Sequence, residues 1–221
     1  MRTLAAALAL IVVGLLAAAT GSAQKPPKPP GQADVSLKAS ANPVTFSQPL
    51  TLTGSVKGAK QGVVVTLEGH GVNTTTFTPV ATATTDMKGD FTFAPRPRSN
   101  TTYRATAGTT PPAQSAELPV QVRPLVGLRV SDTTPSAGQR VRFRGTVRPP
   151  HDGRLVSIQR KQADGSFVTV ARTRLRDAGD TFSRYRRRLR VRATGTYRTL
   201  IAAHRDHAEG LSTERTLTVG G

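Results

Sequence analysis

Four histidines and no cysteine bound the chemistry available to this chain. A thiol nucleophile is excluded. His70, His151, His204 and His207 sit in no spacing that marks a nucleophile–base–orienter set. His204-Arg205-Asp206-His207 puts two imidazoles three positions apart with a carboxylate between them. A metal needs three or four converging ligands, and this segment reads as a strand end running into a loop, so no metal site is expected. Asp86-Met87-Lys88-Gly89-Asp90 lacks the alternating oxygen ligands and closing Glu of a calcium loop. It reads as a hairpin turn in which Gly89 takes positive φ. No glycine-rich strand-to-helix loop offers a phosphate cradle. Asn73-Thr74-Thr75 and Asn100-Thr101-Thr102 match a glycosylation pattern, read here as incidental loop sequence. No cofactor is expected, and no enzymatic constellation is legible.

The sharp feature is arginine. Lys and Arg total 31 against 13 Asp and Glu in 221 residues, a formal charge of +18. Residues 34–123 carry 8 basic and 5 acidic side chains, whereas residues 124–221 carry 20 and 8. Much of the excess falls on two stretches with period two. Arg140, Arg142 and Arg144 alternate with Val141 and Phe143. Arg186, Arg188, Arg190 and Arg192 alternate with Arg187, Leu189 and Val191. Residues two apart on a strand share a face, so these seven arginines are the candidate site: a basic face for an anionic partner. Arg187 breaks the pattern, and a bulge or an exposed strand end would accommodate it. An anionic wall polymer or a membrane surface is the partner class such a face implies. No protein partner is indicated. Nucleic acid is disfavoured, because no aromatic platform for stacking bases lies between the arginines.

The elements that must carry this face are strands. Apolar and polar residues alternate through Leu50–Val56 and Val141–Val147, the signature of strands with one buried face. There are 20 Gly and 16 Pro to break the chain into short pieces. Alternating runs lie at 34–41, 49–56, 63–69, 77–85, 90–95, 101–107 and 115–123. A second set lies at 125–132, 139–147, 154–161, 167–175, 182–192, 196–204 and 212–219. The two sets repeat one another. Gly54-Ser55-Val56 matches Gly145-Thr146-Val147 at an offset of 91, as Gly62 matches Gly153. Phe77 matches Phe167 at 90, and Thr102-Tyr103-Arg104 matches Thr196-Tyr197-Arg198 at 94. Arg142 and Arg144 align with Thr51 and Thr53, so the fold itself does not call for arginine there. Seven strands in some 90 residues point to an all-β chain of two tandem seven-stranded immunoglobulin-like β-sandwiches. Tyr103 and Tyr197 then fall where a hydroxyl bonds back to nearby backbone, the tyrosine corner.

Together, Asn42-Pro43-Val44, Gly54-Ser55-Val56, Thr85 to Phe91, Gly138-Gln139 and the two Thr-Tyr-Arg triplets resemble bacterial immunoglobulin-like and fibronectin type III-like repeats of exported proteins. The resemblance covers about residues 34–221. It implies a spacer or adhesive module with structural rather than ligand-reading motifs. The start of the chain fits export: Arg2, an apolar run from Leu4 to Ala19, and Gly21-Ser22-Ala23 read as a signal peptide over 1–23. Residues 24–33, with four prolines, read as an extended linker. Domains are expected at 34–123 and 124–221. The functional expectation is a non-catalytic structural or adhesive module, secreted or wall-associated, with binding of an anionic surface polymer through the second domain as the alternative.

Overall fold

The computed structural model describes residues 34–220, so the expected signal peptide and linker lie outside the described residues. No helix occurs among those described. In the first half the strands are β1 Asp34–Val35, β2 Lys38–Ala39, β3 Val44–Thr45, β4 Leu52–Lys57, β5 Val64–Gly71, β6 Thr78–Thr84, β7 Asp90–Phe93, β8 Thr101–Ala107, β9 Ala113–Gln114, β10 Leu118–Val120 and β11 Val122–Arg123. In the second half they are β12 Leu125–Val126, β13 Arg129–Val130, β14 Arg140–Arg148, β15 Leu155–Lys161, β16 Phe167–Arg174, β17 Arg176–Asp177, β18 Ser183–Arg190, β19 Gly195–Ile201, β20 Gly210–Leu211 and β21 Arg215–Leu217.

Alternating burial makes these segments strands. In β14, Val141, Phe143 and Val147 are fully buried while Arg140, Arg142 and Arg144 are exposed. In the first half β1, β2 and β7 pair with β4, while β10, β8, β5 and β6 form a second sheet. In the second half β12 and β13 pair with β14, followed by β18 and β17. The facing sheet runs β16, β15, β19, with β20 and β21 on the far side of β19. No strand ladder crosses the boundary between Arg123 and Pro124 among the described residues. Apolar side chains of the first half, centred on Leu50, Leu52, Val56 and Leu67, fill one core. The second half has two smaller clusters, around Phe143 and around Val147. Sheets with one buried face packed over such cores make the chain an all-β, sandwich-type structure.

Local irregularities recur at equivalent places in the two halves. A β-bulge falls at Leu67/Glu68 and again at Ile158/Gln159. The last strand breaks at Ser115 and at Ser212, whose hydroxyls accept from Ala105 N and Thr199 N at 2.9 and 2.8 Å. A hydroxyl replaces a ladder acceptor there, and a two-residue strand, β9 or β20, precedes the break, outside the expected ranges 115–123 and 212–219. The chain of β3 leaves the first sheet and adds in parallel to β11, and a parallel bridge joins Ser136 to Gly220 in the second half. The alignment slip from 90 to 94 also has a structural basis. The extra residues of the second half lie between β16 and β18, where they form β17, a short strand with no counterpart in the first half.

The matched glycines are required by close approach. A Cβ on Gly54 would run into Ser36 O and the Phe91 ring, and one on Gly145 into Gly127 O and the Tyr185 ring. Tyr103 and Tyr197 are both buried, but neither forms the expected corner. The Tyr103 hydroxyl meets the Thr101 side chain, and the Tyr197 ring packs edge-on to Phe143 with centroids 5.2 Å apart. Tyr185 makes the backbone bond instead. Its hydroxyl donates to Gly127 O at 2.8 Å and lies 2.8 Å from Thr199 Oγ1. Alanine at Gly145 must displace either backbone or this hydroxyl, so Gly145→Ala is expected to cost about 2–3 kcal/mol in urea unfolding, within the range for overpacking. Gly71, with open space around it, serves as the control: Gly71→Ala should stay within about 0.5 kcal/mol.

Candidate anion-binding face

Strands β14 and β18 are antiparallel and in continuous register over eight residue pairs. Val141 lies opposite Leu189, and Gly145 opposite Tyr185, on the core side. That register leaves the outward positions no choice. Arg140 lies opposite Arg190, Arg142 opposite Arg188, and Arg144 opposite Arg186. All six side chains are exposed. Three further arginines join them: Arg129 on β13 lies opposite Arg144, and Arg176 on β17 lies opposite Arg184 of β18. Arg129 and Arg176 lie on short flanking strands that carry no period of their own, whereas Arg184 shares the parity of Arg186, Arg188 and Arg190 on β18. Arg192 does not belong to the ladder. Strand β18 ends at Arg190, Val191 turns into the core, and Arg192 is exposed beyond the strand.

Arg187 resolves without a bulge, since the register runs unbroken through Phe143↔Arg187. It occupies a core-side position and yet is exposed. Strand β17 pairs with β18 only at Ser183 and Arg184, so from Arg186 onward β18 is a sheet edge. An inward-pointing charge on such an edge reaches solvent around the rim and discourages pairing with another strand.

The face is electrostatically unbalanced. Among the described residues none of these nine arginines has an ion pair or a side-chain hydrogen bond to protein. Other arginines are occupied. Arg104 Nε donates to Glu68 at 2.7 Å and stacks over Phe77 at 4.0 Å. Its hydrogen bond is the main cause that holds the Glu68 carboxyl below its usual range. Arg198 repeats this with Gln159 at 2.8 Å and Phe167 at 3.7 Å, which explains the matched Thr-Tyr-Arg triplets. In the first half, exposed Thr51, Thr53 and Thr92 occupy the places corresponding to Arg142, Arg144 and Arg186. Strand β7 also stops at Phe93, because Pro95 and Pro97 remove ladder donors. The long arginine-bearing β18 is therefore particular to the second half.

His151, His204 and His207 cluster at the junction between the halves, while His70 packs against Phe77 within the first half. Asn100 N donates to Asp206 O at 2.8 Å, Asn100 Nδ2 to Arg205 O at 3.4 Å, and Asn100 Oδ1 accepts from Val122 N at 2.7 Å. His207, 4% exposed, donates from Nε2 to Arg98 O at 2.9 Å. Asp206 accepts from His204 Nδ1 at 2.6 Å and faces His207 Nδ1 at 3.3 Å. Burial works against the Asp206 carboxylate, but the hydrogen bond from His204 and the adjacent His207 imidazole outweigh it and hold the group at about 2. His151 packs edge-on against His207, with ring centroids 4.9 Å apart, and donates from Nδ1 to Pro149 O at 2.7 Å. Burial pushes its imidazole below the ordinary range. No group of three His, Asp or Glu able to hold a metal occurs among the described residues. Asp86 accepts from Lys88 N and Asp90 N at 2.8 and 2.9 Å, and Gly89 has φ of 82°, so that loop is the expected hairpin turn.

No protein-family model matches the chain, and no curated protein matches it. Solved structures that resemble it include a tetra-tandem repeat from the extending region of a large adhesion protein, with TM-score 0.37, 16% identity, and coverage of 85% of this chain and 50% of that one. Red sea bream transglutaminase gives 0.43 and 10%, covering 86% and 31%. The BSP domain of a biofilm-associated protein gives 0.28 and 16%, covering 84% and 30%. The chain spans half or less of each of these structures. At such scores, what those proteins do carries no argument for this one.

Two outcomes follow from the geometry. Like charges directly opposite on a sheet destabilise it by about 0.2–1 kcal/mol per pair. Arg142→Thr with Arg188→Thr should therefore raise the melting temperature in low salt, and the gain should shrink as salt screens the pairs. Burial disfavours the protonated form of His151 in the fold, whereas the unfolded imidazole protonates near pH 6.5. Below that pH the unfolded chain binds more protons, so stability should fall as pH drops from about 7.5 to 5.5. Thermal melts across this window should show the loss, and His151→Phe should flatten it.

Proposed function

We propose that this chain is a non-catalytic module of the cell exterior, built from two tandem immunoglobulin-like sandwiches, that adheres to anionic material through the arginine face of residues 124–221. The observation that carries the reading is the set of three in-register arginine rungs with no acidic partner, set against Thr51, Thr53 and Thr92 at three of the six matching places of the first half. The structure bears a like-charge cost on one sheet face that its sister sheet avoids. An anionic surface removes that cost on binding. The sequence pattern of residues 1–23 supports export, and the linker 24–33 would space the module from whatever precedes it. On this reading the first half acts as the spacer and the second half as the adhesive part.

Sedimentation with purified bacterial cell wall tests the proposal. The protein should pellet with wall at low salt and be released as ionic strength rises. Arg142→Thr with Arg188→Thr should weaken retention about tenfold, for two surface contacts of about 0.7 kcal/mol each. Retention that is indifferent to both salt and this variant would sink the proposal.

A further inference from the structure

We infer that the arginine face takes one linear phosphate polyanion, lying lengthwise over the seam between β14 and β18. The inference rests on the adhesive reading above and narrows its ligand. The rungs Arg140–Arg190, Arg142–Arg188 and Arg144–Arg186 are followed along the same seam by Thr146–Arg184. Two residues of strand span about 6.7 Å, so four rungs extend about 20 Å, while neighbouring strands lie only about 4.8 Å apart. The charge is thus a stripe, about four times longer than its two-strand core is wide. Arg129 and Arg176 widen it at only two rungs. A single extended chain passing between two rails is flanked by arginine on both sides at three of the four rungs. A planar headgroup layer would make no use of that register.

The residue type narrows the chemistry further. Every cation on the stripe is arginine and none is lysine. Arginine presents a planar fork that meets two oxygens of one phosphate, whereas lysine offers a point charge. The outward positions of β14 and β18 within the stripe hold neither carboxylate nor aromatic side chains. The ligand is therefore read through its repeating anionic backbone, with nothing to stack on.

Binding of inorganic polyphosphate of graded length to the full chain tests this, with anionic phospholipid vesicles at equal phosphate as the comparison. Affinity should rise with chain length and level off once the chain outruns the 20 Å stripe. If each phosphate contact contributes as in single strands, the seven rail arginines give log K against log salt a slope of about −5. Arg142→Thr with Arg188→Thr should bring that slope to about −3.5, while Lys57→Thr with Lys60→Thr, the same charge removed from the first half, should leave it unchanged. Arg142→Lys with Arg188→Lys should weaken binding despite equal charge. Melting curves establish that each variant is folded. Tighter binding to vesicles than to polyphosphate, affinity that climbs without a plateau, or equal effects of the two threonine variants would overturn the linear-chain inference while leaving adhesion standing. Failure to bind wall, vesicles and polyphosphate alike would remove both.

Discussion

The antiparallel pairing of β14 with β18 is the constraint on which the rest of the second half depends. Val141, Phe143, Val147 and Tyr185 must face the core, because each buries most or all of its side chain there. Side chains alternate strictly along a strand, so one register satisfies the core and a slip of one residue inverts both faces. Fixing the apolar partners thus fixes arginine opposite arginine on the outside. Burying a large apolar side chain is worth about 1.5–3 kcal/mol, and a like-charge cross-strand pair costs less than about 1 kcal/mol. The core therefore wins, and the charged ladder is held in place by packing that it does nothing to support.

The same hierarchy explains how two halves with one architecture differ in surface. Gly54 and Gly145, the two bulges and the two strand-breaking serines all belong to backbone geometry, and they recur. The outward positions are free of that geometry. Thr51, Thr53 and Thr92 occupy three of them in one half where arginine stands in the other. The arginines that do recur, Arg104 and Arg198, are those engaged by a ring and a polar side chain, so they are part of the framework. Partner-free and framework arginines are separated by their contacts, a distinction that composition alone does not draw.

The junction shows how residues suited to chemistry are used for structure. Asn100 Nδ2 and His207 Nε2 donate to backbone carbonyls across the boundary between the halves, while Asn100 Oδ1 accepts from Val122 N within the first. Asp206 is engaged by the two flanking imidazoles. The carboxylate and imidazoles of this segment are thereby committed to shaping a turn that docks on the neighbouring half.

Period-two alternation and the internal repeat were enough to identify the strands and to place six of the seven candidate arginines on one exposed ladder, because side-chain direction in a strand follows from residue parity. Arg192 escaped that rule, since parity does not say where a strand ends. Arg129 and Arg176 joined the face only through the pairing of β13 and β17, strands of two residues with no period to read, whereas Arg184 shares the parity of its neighbours on β18. The Tyr185 hydroxyl bond, the edge position that lets Arg187 reach solvent, and the histidine turn docked against Arg98 and Asn100 likewise depended on which segments meet in space. Alternation is local and is written in the order of residues. Neighbours across a sheet or a junction are set by the packing of the whole core, and that was decided by the tertiary structure alone.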